Sequence, residues 1–107
     1  NYSRQGRVMP TFSLTVGYGE DLTRVRDVIA KVAGADHRVL RDEPIVVAVD
    51  ELGEIGVRLL VFAVVAPRDF WEVRSDLQER IKARFDAEGI RFAVPPRDVR
   101  IANAARG

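Results

Sequence analysis

Apolar and polar residues alternate from Thr11 to Tyr18, with Phe12, Leu14, Val16 and Tyr18 on one side and Thr11, Ser13, Thr15 and Gly17 on the other. A period of two predicts a half-buried strand. The period then changes. Leu22, Val25, Val28, Ile29 and Val32 recur at steps of three and four, which draws one apolar face on a helix. Asp21 stands where an N-cap is needed, because a carboxylate accepts from the free amides of the first turn. Gly34 marks the expected stop.

A polar connection, Ala35 to Pro44, leads to a second strand from Ile45 to Val49. The stretch from Asp50 to Gly56 holds two glycines and three acids and reads as a hairpin turn. A third strand is predicted from Val57 to Val65. Val57, Leu59, Val61, Ala63 and Val65 share one face; Leu60, Phe62 and Val64 share the other, interrupted by Arg58. An antiparallel sheet covered on one side needs a polar outer face. The apolar outer face at Leu60, Phe62 and Val64 therefore predicts either an interface or a central strand covered by its neighbours' long side chains.

Pro67 stops that strand. Asp69 and Glu72 have the spacing of a capping box at the start of a second helix. Phe70, Val73, Leu77, Ile81 and Phe85 trace its apolar face, and Trp71 lies one residue off the stripe, as a flank of the core or an interface anchor. Asp76 and Arg80 are spaced to pair on the wet side. Gly89 suits a left-handed stop. Ile90 to Val94 predicts a short fourth strand, ended by Pro95 and Pro96, with Val99 and Ile101 in a last extended piece. The order β-α-β-β-α-β places the chain in the α+β class. It predicts a ferredoxin-like sandwich with both helices on one face of a four-stranded sheet and a short extra C-terminal strand.

The bulk properties narrow the function classes. A chain of 107 residues fits one domain, and 47% hydrophobic with 31% charged residues fits a folded one. A net charge of +1 supplies no strong field for nucleic acid or anionic lipid. The absence of cysteine excludes disulfides, thiolate zinc sites and cysteine nucleophiles. The longest apolar run, Leu59 to Pro67, has nine residues, and a membrane helix needs ~20. The chain is accordingly expected to be a soluble piece. Asn1 to Arg7 lack a core pattern and read as the cut end of something upstream.

No residue pattern points to chemistry. Gly17-Tyr18-Gly19 lies between strand and helix, where phosphate loops occur. Leu22 stands where a dinucleotide fingerprint needs its third glycine, no Gly-Lys-Ser/Thr follows, and Glu20 and Asp21 repel a phosphate. His37 has no second histidine to work with and sits among Asp36, Arg38 and Asp42, as on a solvated loop. Asp50, Glu51 and Glu54 suit an exposed turn. Ser3, Ser13 and Ser75 show no nucleophile elbow. One phenylalanine, Phe62, on the outer face is not an RNA-stacking platform. The expectation is no catalytic residue, no cofactor and no metal ligand. A free-standing regulatory module binding a small effector at a dimer interface is the alternative from the same pattern.

Several segments, in order, resemble the soluble C-terminal cytoplasmic region of small-conductance mechanosensitive (MscS) channels. They are Val16-Gly17-Tyr18-Gly19-Glu20-Asp21; the loop from Arg38 to Pro44; Glu51-Leu52-Gly53; Asp76 to Lys82; Phe85 to Phe92; and Pro95-Pro96-Arg97-Asp98-Val99. Asn1-Tyr2-Ser3-Arg4 is similar to the end of the β-rich domain that precedes this region. The resemblance implies a homoheptameric channel of the bacterial inner membrane that releases ions and osmolytes on hypo-osmotic shock. This chain would be the α+β part of its cytoplasmic vestibule, without the pore. Residues 1–10 would end the upstream domain, 11–97 form the ferredoxin-like domain, and 98–107 form the terminal strand and tail. The implied partners are other copies of the chain and its own upstream β-rich domain and transmembrane helices, with no nucleic acid and no membrane contact by this piece. The expected subunit-interface residues are Leu60, Phe62, Val64, Pro95, Pro96, Asp98, Val99 and Ile101. A lone strand past Pro95-Pro96 is unstable by itself, and pairing with its own copies would resolve that.

Overall fold

The computed structural model describes residues 6–94. Strands β1 (Thr11–Val16), β2 (Val46–Leu52) and β3 (Val57–Phe62) form an antiparallel sheet in the order β1-β3-β2. Helix α1 (Leu22–Gly34) connects β1 to β2, and α2 (Phe70–Glu88) follows β3. The chain then returns to the free edge of β1. Phe92 bridges Val16, the Gly17 N–H donates to the Arg91 carbonyl (3.3 Å), and the Ala93 N–H donates to the Thr15 carbonyl (3.0 Å). Counting that contact, the order across the sheet is that of a ferredoxin-like fold, with the returning segment beside β1. The predicted fourth strand is reduced to this one bridge.

Both helices cover one face of the sheet. Val25, Val28, Ile29 and Ala33 of α1 and Val73, Leu77, Ile81 and Phe85 of α2 join Phe12, Val16, Val57, Leu59 and Val61 in one buried cluster. Each large side chain buried there contributes roughly 1.5–3 kcal/mol. Trp71 is outside this core, 74% exposed and edge-on to Phe70 with ring centroids 4.9 Å apart.

The element ends depart from the sequence reading in instructive ways. Asp21 caps α1 as expected, its carboxylate accepting from the N–H groups of Thr23 (3.0 Å) and Arg24 (3.4 Å). α1 does end at Gly34, but Gly34 is its last helical residue and not a left-handed cap: Ala35 follows at φ −82° with its N–H still bonded to the Lys31 carbonyl at 3.0 Å. The Asp69–Glu72 capping box does not form. Pro67 opens a 3-10 turn, Pro67–Asp69, that leads into α2; Asp69 stands at the predicted N-cap position, but as the last residue of that turn it makes no side-chain capping hydrogen bond. Proline is favoured there because its missing N–H has no partner to lose. Gly89 does close α2, at φ 75°, and the Ile90 N–H returns to the Phe85 carbonyl at 2.9 Å.

β1 stops at Val16, two residues early, and Tyr18 turns outward to donate its hydroxyl to the Gly53 carbonyl. β2 starts one residue late but runs on through Asp50, Glu51 and Leu52, so the turn shrinks to Gly53–Gly56, closed by the Gly53 N–H on the Gly56 carbonyl (2.9 Å). Gly56 is required: a Cβ there would collide with the Val16 carbonyl oxygen and lie 2.9 Å from the Ala93 Cβ. β3 ends at Phe62. Beyond it, Val65 bridges both Val8 and Val39, so the last apolar residues of the predicted strand pass between two irregular segments.

Candidate functional site

The face of the sheet opposite the helices is not covered by another layer of the domain. Register sets its composition. Thr11 and Val46 lie opposite Phe62, Ser13 and Ala48 opposite Leu60, and Thr15 and Glu51 opposite Arg58. Leu60 and Phe62 therefore sit half-buried at the centre, between small or hydroxyl-bearing side chains of β1 and apolar ones of β2. Val64 does not join them. It is only 2% exposed, held where the Leu40 N–H donates to its carbonyl at 2.8 Å. The strand has ended two residues earlier, so strict alternation no longer sets its direction. Pro95, Pro96, Asp98, Val99 and Ile101 lie outside the described residues.

One end of this face is charged. A bulge between Val49 and Glu51 sets two β2 residues against Arg58. Regular alternation would send Asp50 and Glu51 to opposite faces; the bulge lets both meet one guanidinium, Nε to Asp50 at 2.9 Å and Nη2 to Glu51 at 2.6 Å. The acids read from sequence as an exposed hairpin tip are thus partly strand residues with a shared cation. Next to them, Leu52 is 68% exposed and Ile55 is also exposed.

A second charged group ties the α1–β2 connection to α2. Asp36 is 3% exposed, the one buried charged residue of the described chain. Its carboxylate accepts from Arg38 Nε (3.0 Å), Arg38 Nη2 (2.8 Å) and the Arg38 backbone N–H (2.9 Å). Arg38 Nη2 also reaches Asp76 at 2.9 Å, and Arg80 Nη1 reaches Asp36 at 3.4 Å. The pair predicted between Asp76 and Arg80 is thus replaced by longer-range partners from the connection. Hydrogen bonding to Arg38 outweighs burial and holds the Asp36 carboxyl down at about 2, and the same bonds raise Arg38. His37, between the two, is exposed.

The N-terminal approach is clamped as well. Arg7 donates to Asp42 (2.8 Å) and to Glu43 (2.8 Å), and Val8 exchanges two backbone hydrogen bonds with Val65 (3.0 and 2.9 Å). The loop at Gly17-Tyr18-Gly19 is occupied from within: Asp21 caps α1, and Glu20 accepts from the Arg91 N–H at 3.1 Å. Among the described residues, no group of three or more His, Asp or Glu side chains is placed to hold a metal ion, and no helix is long and apolar enough to cross a membrane. Sequence reasoning missed the Asp36–Arg38 and Arg7 groups. Their partners lie 35 to 44 positions away, and the only local sign was an Asp-x-Arg spacing.

The chain's relatives are consistent with this picture. The profile described as "Mechanosensitive ion channel MscS, C-terminal" matches residues 11–92. The chain is 27% identical over 106 residues to a small-conductance mechanosensitive channel of Edwardsiella ictaluri, covering 99% of this chain and 37% of that protein. It is 33% identical over 86 residues to an MscS family protein of Synechocystis, covering 80% of this chain and 29% of that one. It thus spans about a third of the relatives it matches. Its fold is similar to that of Helicobacter pylori MscS in the closed state, with a TM-score of 0.79 at 24% identity over 88% of this chain and 38% of that one. Arabidopsis thaliana MSL1 gives a TM-score of 0.68 at 11% identity over 89% of this chain and 36% of that one. From the first strand to the segment that returns beside it, this is a C-terminal domain of the MscS mechanosensitive channel family, and the chain belongs to that family.

Proposed function

We propose that this chain is the α+β part of the cytoplasmic vestibule of a mechanosensitive ion channel in a bacterial inner membrane, a homoheptamer that releases ions and osmolytes on hypo-osmotic shock. The observation that carries the reading is the family match over the whole sheet-and-helix unit, residues 11–92. In this reading the domain has no catalytic task. Residues 1–10 end an upstream β-rich domain, and 98–107 supply a strand that pairs with its copies. The half-buried Leu60 and Phe62 on the open sheet face serve as the contact with a neighbouring copy or with the upstream domain. An apolar centre with a polar rim is the usual anatomy of such a contact.

The test uses the full-length parent protein. Cells lacking other such channels are given the parent gene and subjected to hypo-osmotic shock, with patch recording of their membranes. Tension-gated conductance and rescue of survival are expected; their absence in a correctly inserted protein would overturn the reading. Leu60→Glu with Phe62→Glu, and separately deletion of 95–107, should each lower the stability of the oligomer in detergent. Unchanged assembly in either would remove that segment from the interface.

A further inference from the structure

On the side away from the open sheet face, α1 and α2 leave a groove of about 380 Å³. Its floor is apolar, made of Val28, Val32, Ala35 and Ala83; its charged lining is Lys31, Arg80 and Arg84, all cations. Their carboxylate partners stand outside the lining: Asp27 is 3.2 Å from Lys31, Asp36 is 3.4 Å from Arg80, and Glu88 is 2.5 Å from Arg84. The three cations are each more than half exposed; Lys31–Asp27 and Arg84–Glu88 are surface ion pairs and weak, while Arg80 is a long second donor to Asp36 behind Arg38. A guanidinium carries five N–H donors and an ammonium three, so one acid neighbour leaves donors to spare on each.

We infer that the α1–α2 groove binds an organic anion with an apolar body, such as an aromatic or short-chain carboxylate or sulfonate. The apolar part lies on the Val28, Val32, Ala35 and Ala83 floor, and the anionic group is taken by Lys31, Arg80 and Arg84. The volume is near the lower end of small-molecule sites, roughly 300–1,000 Å³, which suits an aromatic body of a few rings or a short acyl chain. The site does not depend on the channel reading, because all its parts lie on α1, the Ala35 that follows it, and α2. It is linked to the buried charge group, since Arg80 serves both the groove and Asp36.

The probe is anilinonaphthalene sulfonate, titrated into the 107-residue chain by fluorescence, with amide NMR shifts to locate it. Saturable one-site binding is expected, with the shifted amides centred on Val32, Ala35, Ala83 and Arg84. Ala83→Trp, which fills the floor, and Arg84→Glu, which reverses one cation, should each weaken binding about tenfold or more, as loss of a charged hydrogen bond or of the apolar seat would. Uncharged phenylnaphthylamine should bind about tenfold more weakly than the sulfonate. Far-ultraviolet circular dichroism checks that each variant is folded; Ala83 and Arg84 are both exposed, so either variant serves if the other unfolds. Equal binding to both folded variants, equal binding of the uncharged analogue, or shifts centred on Leu60 and Phe62 would overturn the inference. So would self-association of the chain that Arg84→Glu abolishes, since the groove would then belong to a second copy.

Discussion

Asp36 and Arg38, two residues apart, form a two-pronged ion pair in which the carboxylate is almost wholly buried and the guanidinium is 18% exposed. The backbone N–H of Arg38 adds a third bond at 2.9 Å. The pair fixes the shape of the connection after α1, and through Asp76 it fastens that connection to α2. A buried carboxylate is tolerated only when its bonds are complete, and three donors from one residue complete most of them at once.

Removing Arg38 therefore strands the charge. Arg38→Ala should destabilise the domain by roughly 3 kcal/mol, near the lower end for breaking a buried pair, because Arg80 remains within reach of Asp36. Urea unfolding should show a lower midpoint at unchanged slope. Arg38→Lys should recover little, since an ammonium cannot supply the two parallel bonds.

The same pair sets an acid limb. Asp36 is held at about 2 in the folded chain, against ~3.9 when unfolded. Between those values the unfolded chain binds more protons, so folding is penalised as pH falls. The contribution of Asp36, on the order of 2 kcal/mol, should be complete above pH ~4 and lost progressively on the way down to about 2. Asp36→Asn should flatten this limb in unfolding curves taken across that window; an unchanged limb would assign it to other carboxylates.

Gly56 is a packing requirement of the hairpin. Gly56→Ala puts a methyl group against the Val16 carbonyl, which is backbone, and against the Ala93 Cβ, which has no rotamer by which to move aside. A loss of roughly 1–3 kcal/mol is expected. Gly19→Ala is the control: nothing lies within 4 Å of its Cβ position and its backbone is not left-handed, so stability should change by about 0.5 kcal/mol or less.

Arg7 acts locally. Arg7→Glu sets a third acid beside Asp42 and Glu43. Hydrogen exchange at the Val8 amide, which is bonded to the Val65 carbonyl at 3.0 Å, should speed up by about tenfold or more. Exchange at the buried Leu77 amide should stay unchanged, because opening at the chain's edge need not involve the core.

Most of the architecture was legible in hydrophobic period alone. The stripe from Val73 to Phe85, the Asp21 cap, the left-handed Gly89 and the β-α-β-β-α-β order depend on local geometry, and local geometry is written in neighbouring residues. The ordered segments from Val16 to Phe92 also carried the family, which the match over residues 11–92 bears out.

Tertiary structure decided the rest. Whether β2 stopped at Val49 or ran through the acids depended on Arg58 across the sheet, and whether Asp69 capped α2 depended on a turn that Pro67 opened first. Val64 was buried by segments far away in the chain. The interior place of Asp36 rested on donors from Arg38 and Arg80. Period and caps report a few residues at a time, whereas charge pairing and strand ends are fixed by groups that only folding brings within hydrogen-bond range.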